Sequence, residues 1–186
     1  EKLARTVAAR GGAHQAAYAE ALLPELRAIA EGARAREAAP LLVLIPRVPL
    51  DARPLVPTTA YVASITVPEE ERTLEAVAEA FRQRRDFVVG RPEIRRVDLP
   101  AGPACRIQEM AAEETEEDRG NRRAGRADRR TFMEYVSFFV LAPEFPEGFV
   151  ELTVTWSGPA AGPGLSRFAD DLAATLRLVP VPEADG

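Results

Sequence analysis

The chain has 186 residues and a formal net charge of −5, with 46% of residues hydrophobic and 28% charged. That balance belongs to a soluble globular protein rather than a disordered or membrane-embedded one, and the length gives one domain over 1–186 as the expectation, since a domain near 150 residues buries about 70% of its unfolded surface. The acidic balance disfavours generic attraction to a polyanion, which needs a surplus of Lys and Arg to neutralise phosphate.

Residues 1–37 read as a helical start. Leu22, Leu26, Ile29, Ala30 and Ala33 recur at helical spacing and place one apolar stripe on a long helix, with Glu25, Arg27 and Glu31 on other faces. Gly11 and Gly12 separate a short leading helix from it, and Pro24, which lacks a backbone donor, predicts a kink or a new first turn near Leu23. After Pro40 the apolar run Leu41 to Ile45 suits a buried strand, and the proline-rich stretch from Arg47 to Pro57 is loop. Tyr61, Ala63, Ile65 and Val67 alternate at period two, so Ala60 to Val67 is a strand with one better-buried face. Leu74, Val77, Ala78 and Phe81 mark a helix with Glu69 to Glu71 at its start and Arg82, Arg84 and Arg85 near its end.

In the second half, Ile94 to Leu99 and Ala104 to Met110 flank the turn residues Pro100 to Pro103, which predicts a hairpin. Phe132 to Leu141 is apolar on both faces and reads as a central strand covered on at least one side by helices. Val150, Leu152, Val154 and Trp156 alternate with polar residues, giving a strand with one core face and one polar face. Leu165, Phe168, Leu172 and Leu176 form the stripe of a closing helix, and Trp156, Phe132 and Phe168 are expected in the core. Residues 180–186 make a Pro-rich acidic tail, expected to fray. Consecutive strands joined by short turns are antiparallel neighbours, and amphipathic helices need a sheet face to cover, so the fold class is α+β, with about six antiparallel strands flanked by helices.

The hairpin VDLPAGPACRI, the aromatic strand FMEYVSFFVL, the strand FVELTVTWS and the closing helix LSRFADDLAATLRL together resemble the PsbP-like superfamily. That superfamily includes the extrinsic subunit of photosystem II, a Ran-binding nuclear import factor and many uncharacterised bacterial, especially actinobacterial, proteins. The resemblance covers about Thr59 to Leu178 and implies an α/β/α sandwich that acts as a binding or assembly module. Members usually begin with one or two strands before the first long helix, whereas this sequence opens directly on a helix at Leu3. The superfamily shares a fold without a shared site, so the resemblance brings no functional residue with it.

The candidate chemistries are few. Cys105 and His14 are alone in their types, which rules out a disulfide within the chain and supplies too few ligands for a zinc site. Cys105 reads as a core residue on the strand face of Ile107, and His14 as a surface imidazole. The acidic clusters Glu69 to Glu71 and Glu113 to Asp118 lack calcium-loop spacing. Gly158, Gly162 and Gly164 precede a helix, but Pro159 and Pro163 remove donors that a phosphate would need, so this stretch reads as loop.

The segment 112–130 is the one unusual feature. Its first part is acidic and its second carries Arg119, Arg122, Arg123, Arg126, Arg129 and Arg130, which makes it either a flexible polyampholyte or an arginine arm. Aromatic stacking residues are absent from it, which counts against single-strand nucleic-acid binding. The expected function is a non-enzymatic protein-interaction or assembly module without cofactor or metal, its partner another protein or a second copy in a homo-oligomer. The alternatives are a small-molecule binder or enzyme with a pocket between sheet and helices, and nucleic-acid contact through the Arg-rich loop. With one cysteine and no apolar run near the ~20 residues of a membrane span, the expected location is the cytoplasm.

Overall fold

A computed structural model describes residues 13–45, 55–83, 85, 87–113, 131–157 and 162–179. The described residues form helix α1 (Ala13–Ala35), strands β1 (Leu41–Leu44) and β2 (Thr58–Thr66), a short 3-10 turn at Glu69–Glu71, helix α2 (Leu74–Arg82), strands β3 (Val88–Leu99), β4 (Gly102–Glu113), β5 (Thr131–Val140) and β6 (Gly148–Ser157), and helix α3 (Gly162–Thr175). The strands make one six-stranded antiparallel sheet in the order β1-β2-β6-β5-β4-β3.

Strand register assigns the two faces, because residues directly opposite one another point the same way. On one face Ala104, Val140 and Val150 lie in a row of paired neighbours, and Ala60 pairs with Val154 further along; with Phe138, Leu152 and Trp156 they pack against Ala169 and Ala173 of α3. On the other face Cys105, Ile107, Phe139 and Phe149 pack against Leu74, Val77 and Ala78 of α2. Val43, paired with Thr59, turns to that same second face and meets the cluster of Tyr18 and Leu22 from α1 with Leu55 and Val56. The molecule is therefore a helix-flanked α+β sheet, as the alternation of the strands predicts.

Local signals account for most boundaries. Thr73 caps α2 by accepting a hydrogen bond from the Ala76 N–H at 3.0 Å, while Glu69 to Glu71 form a separate 3-10 turn ahead of it. The β3–β4 hairpin closes through Pro100 and Ala101, with Leu99 opposite Gly102. Gly102 has φ +136°, and a Cβ there would collide with the Leu141 carbonyl, so only glycine fits this approach.

Several expectations are corrected. A single helix runs through Pro24 with no new first turn, and Glu25, the next residue, accepts the Val56 N–H at 2.7 Å. The run Leu41 to Ile45 is not a buried strand: β1 lies at the sheet edge, with Leu42 44% and Leu44 37% exposed. In β2 burial does not follow one face: Ala60 is buried on the α3 side and Ala63 on the other, while Ser64 and Thr66, further along the α3 side, are exposed. Phe132 is 43% exposed rather than core, whereas Trp156 is fully buried. Phe132 shares the α3 face with Trp156 but lies at the β5 end next to Thr131, beyond the helix-covered centre. The glycine-rich stretch before α3 is only partly loop, since Gly162, Pro163 and Gly164 form the helix's first turn. The leading helix, the arginine segment 114–130 and the tail 180–186 lie outside the described residues.

Candidate functional site

Arg119, Arg122, Arg123, Arg126, Arg129 and Arg130 all lie outside the described residues. Of the Cys/His pair, the His14 side chain lies outside them as well, while Cys105 is buried on the α2 face of β4. Burial pushes its thiol pKa up, and the nearby charges of Arg82 and Arg96 only partly oppose that. A thiol held neutral is a poor nucleophile. Among the described residues no group of three or more His, Cys, Asp or Glu side chains could hold a metal, and no helix is long and apolar enough to cross a membrane.

The structure instead assembles polar residues that periodicity did not single out. Beneath α3, Arg106 is 1% exposed and donates through Nε to Asp170 at 2.6 Å and through Nη2 to Ser166 at 2.7 Å and Gln108 at 3.1 Å. Gln108 donates onward to Glu134 at 2.6 Å, and Glu134 also accepts from the Trp156 indole at 2.9 Å. These residues come from β4, β5, β6 and α3 and tie the helix to the sheet. The network lies at the sheet–helix contact, so it orients α3 rather than meeting a ligand.

A second polar group lies in the middle of the opposite face, between the α1 and α2 clusters. Tyr61 donates to Glu151 at 3.2 Å, Thr153 donates to the same oxygen at 2.6 Å, and Ser137 shares a 2.7 Å hydrogen bond with Thr153. Thr59 and Thr155 pair at 2.7 Å, and the Arg36 guanidinium stands 5.7 Å over the Tyr61 ring. Burial, and then the Glu151 charge, raise the Tyr61 pKa. The polar face expected on β6 therefore exists but is not solvated: Thr153 is 2% exposed. Its hydroxyls are spent on one another, which satisfies them without a ligand.

What remains open is an edge. β3, at one side of the sheet, carries Pro92, a register shift between Val89 and Glu93, and the charges Arg91, Glu93, Arg95, Arg96 and Asp98. Prolines, bulges and charges are the usual guards against further strand pairing. β1, at the other side, is short and follows Pro40, but its residues LLVL carry no proline, charge or register shift. Beside it a cleft of about 340 Å³ opens between Leu42, Val62 and the end of α3 at Leu172, Leu176 and Leu178. Of the polar side chains at this cleft, Thr175 donates to the Leu172 carbonyl at 2.7 Å, Arg177 donates through Nη1 to the Ala174 carbonyl at 3.1 Å and the Leu176 carbonyl at 2.9 Å, and Tyr61 donates to Glu151. A strand edge with no neighbour among the described residues, exposed leucines and an aliphatic cleft thus meet in one place. Neither the short run LLVL nor its flanking prolines could signal this, because edge placement depends on which strands pair elsewhere.

These features define the class of the protein as an antiparallel α+β sheet with helices on both faces and, among the described residues, one uncharged edge strand without a neighbour. No family model, curated protein or solved structure matches the chain.

Proposed function

We propose that this chain is a non-enzymatic protein-interaction module that binds a partner's extended strand along the outer edge of β1. The observation that carries the reading is the contrast between the guarded β3 edge and the uncharged, proline-free LLVL edge with its adjoining apolar cleft. Strand addition draws affinity from main-chain hydrogen bonds and specificity from pockets for alternate side chains, and β1 offers both. The PsbP-like resemblance agrees with this reading, since most of the characterised members of that superfamily act through protein contacts. We place the chain in the cytoplasm on the same footing.

A small-molecule reading has less support. The cleft beside β1 has the volume of a small-ligand pocket, but its polar side chains already bond within the chain instead of converging on the space. The test is affinity capture from cells with the wild-type chain and with Val43→Pro. A protein retained by the wild type and released by the variant is the expected result. Equal retention by both would sink the reading.

A further inference from the structure

The outward-facing backbone of β1 can be read residue by residue. The Val62 N–H donates to the Pro40 carbonyl at 3.2 Å, so Pro40 and Val62 form a hydrogen-bonded pair in the β1–β2 ladder. Antiparallel pairs alternate between bonded and non-bonded. Leu42, opposite Ala60, and Leu44, opposite Thr58, therefore direct their backbone groups to β2. Leu41 and Val43 direct theirs away from the sheet, and Ile45 follows in the same phase.

We infer that the occupant of this edge is a second copy of the chain, paired antiparallel about a two-fold axis through Val43. This names the partner for the strand-addition reading and rests on it. In that register Val43 faces Val43, Leu42 faces Leu44, and Leu41 faces Ile45 of the second copy. All the outward donors and acceptors from Leu41 to Ile45 find partners, giving about six backbone hydrogen bonds.

The side chains agree with the backbone. An axis perpendicular to the sheet keeps each face on its own side, so Leu42 and Leu44 of both copies meet on the α3 face, where they are 44% and 37% exposed in the single chain. They extend the aliphatic wall of the cleft formed by Val62, Leu172 and Leu176. The strand is uncharged, so two copies meet without the like-charge repulsion that keeps most edges apart. Its pattern is also its own complement about Val43, with leucine on either side. Such isologous pairing closes after two subunits, because the guarded β3 edges remain at the outside of the joined sheet. A contact of this size belongs to the weak class of interfaces, with micromolar dissociation.

The test is register-specific cross-linking of the full chain in a Cys105→Ala background, which removes the one native thiol. Opposed residues of a bonded pair have Cα atoms about 5.5 Å apart, inside the window of about 4.4–6.8 Å that a disulfide spans. Val43→Cys should give an intersubunit disulfide under mild oxidation. Leu41→Cys or Ile45→Cys alone should not, because each lies about 13 Å from its counterpart in the copy. Mixing those two variants should restore the cross-link. Sedimentation should show a concentration-dependent dimer that Val43→Pro abolishes. That proline replaces an N–H that points away from β2 and has no partner among the described residues, so far-UV circular dichroism should stay unchanged. If Val43→Pro unfolds, Leu42→Lys, at an exposed position, is expected to abolish the dimer in its place.

A wild-type monomer at several hundred micromolar (far above the micromolar dissociation expected of such a contact) would overturn the self-pairing. So would a dimer that survives both variants, or equal cross-linking at positions 41, 43 and 45. A monomer whose foreign partner is still lost on Val43→Pro would refute the second copy while leaving strand addition standing.

Discussion

The ion pair beneath α3 should behave asymmetrically when its two members are removed. Arg106, with a side chain 2% exposed, has its closest contact with Asp170 at 2.6 Å, while Asp170 is 38% exposed and also pairs with Arg95 at 3.2 Å. Asp170→Ala strands a guanidinium that water cannot reach. Breaking a fully buried pair in this way costs about 3–5 kcal/mol, and an exposed pair contributes about 0–1 kcal/mol. The partial exposure of Asp170 sets the expected loss between these, at about 2–3 kcal/mol.

Arg106→Met removes the buried charge together with Nη1, which has no hydrogen-bond partner. The groups left behind keep partners: Ser166 still donates to Gln108 at 3.0 Å, Gln108 to Glu134 at 2.6 Å, and Asp170 retains Arg95. Its cost should be under about 1 kcal/mol, because a methionine fills similar volume without desolvating a charge. Urea titration at pH 7 with an unchanged slope measures both. In the Arg106→Met background, Asp170→Ala should then cost under about 0.5 kcal/mol, since the stranded charge is gone. A larger loss from Arg106→Met than from Asp170→Ala would refute the reasoning and make Arg106 a net stabilising residue.

Two further perturbations follow from close packing and from burial. At Gly148, opposite Thr66, an added Cβ would run into the Ile65 carbonyl, which neither β2 nor β6 can yield without breaking their pairing. Gly148→Ala should therefore cost on the order of 3 kcal/mol, read as a melting temperature lower by roughly 10 °C. For Cys105 the folded thiol pKa lies above its ordinary 9.0, so the unfolded chain ionises first as pH rises. The stability linked to the neutral thiol is complete below pH 9.0 and is lost as pH climbs towards the folded value. Cys105→Ala should flatten that alkaline limb in urea titrations run between about pH 8 and 11, and an identical limb in both proteins would count against a buried, raised thiol.

Much of the architecture is decided locally and can be read from side-chain order. The stripe through Leu22, Leu26 and Ile29 makes α1, and the doubly apolar run Phe132 to Leu141 makes a central strand. The prolines and glycine after Leu99 make a hairpin whether or not the rest of the sheet is known. These signals survive because hydrophobic periodicity and turn geometry involve residues a few positions apart. Even so, a local pattern cannot say how far a neighbouring helix reaches, and Phe132 is exposed for that reason.

The candidate site lies on the other side of that line. Whether LLVL is a buried strand or an open edge depends on β6 inserting between β2 and β5, a pairing of Thr58 with Trp156 across nearly one hundred positions. The burial of Arg106 depends on Asp170 arriving from α3, and the burial of Thr153 on Tyr61 and Ser137 flanking it. Composition and spacing determine which segments are strands and helices, because those choices are made by local sterics and by the need to hide one apolar face. Tertiary pairing alone decides which strand is left without a neighbour, because an edge is defined by contacts its own residues do not make.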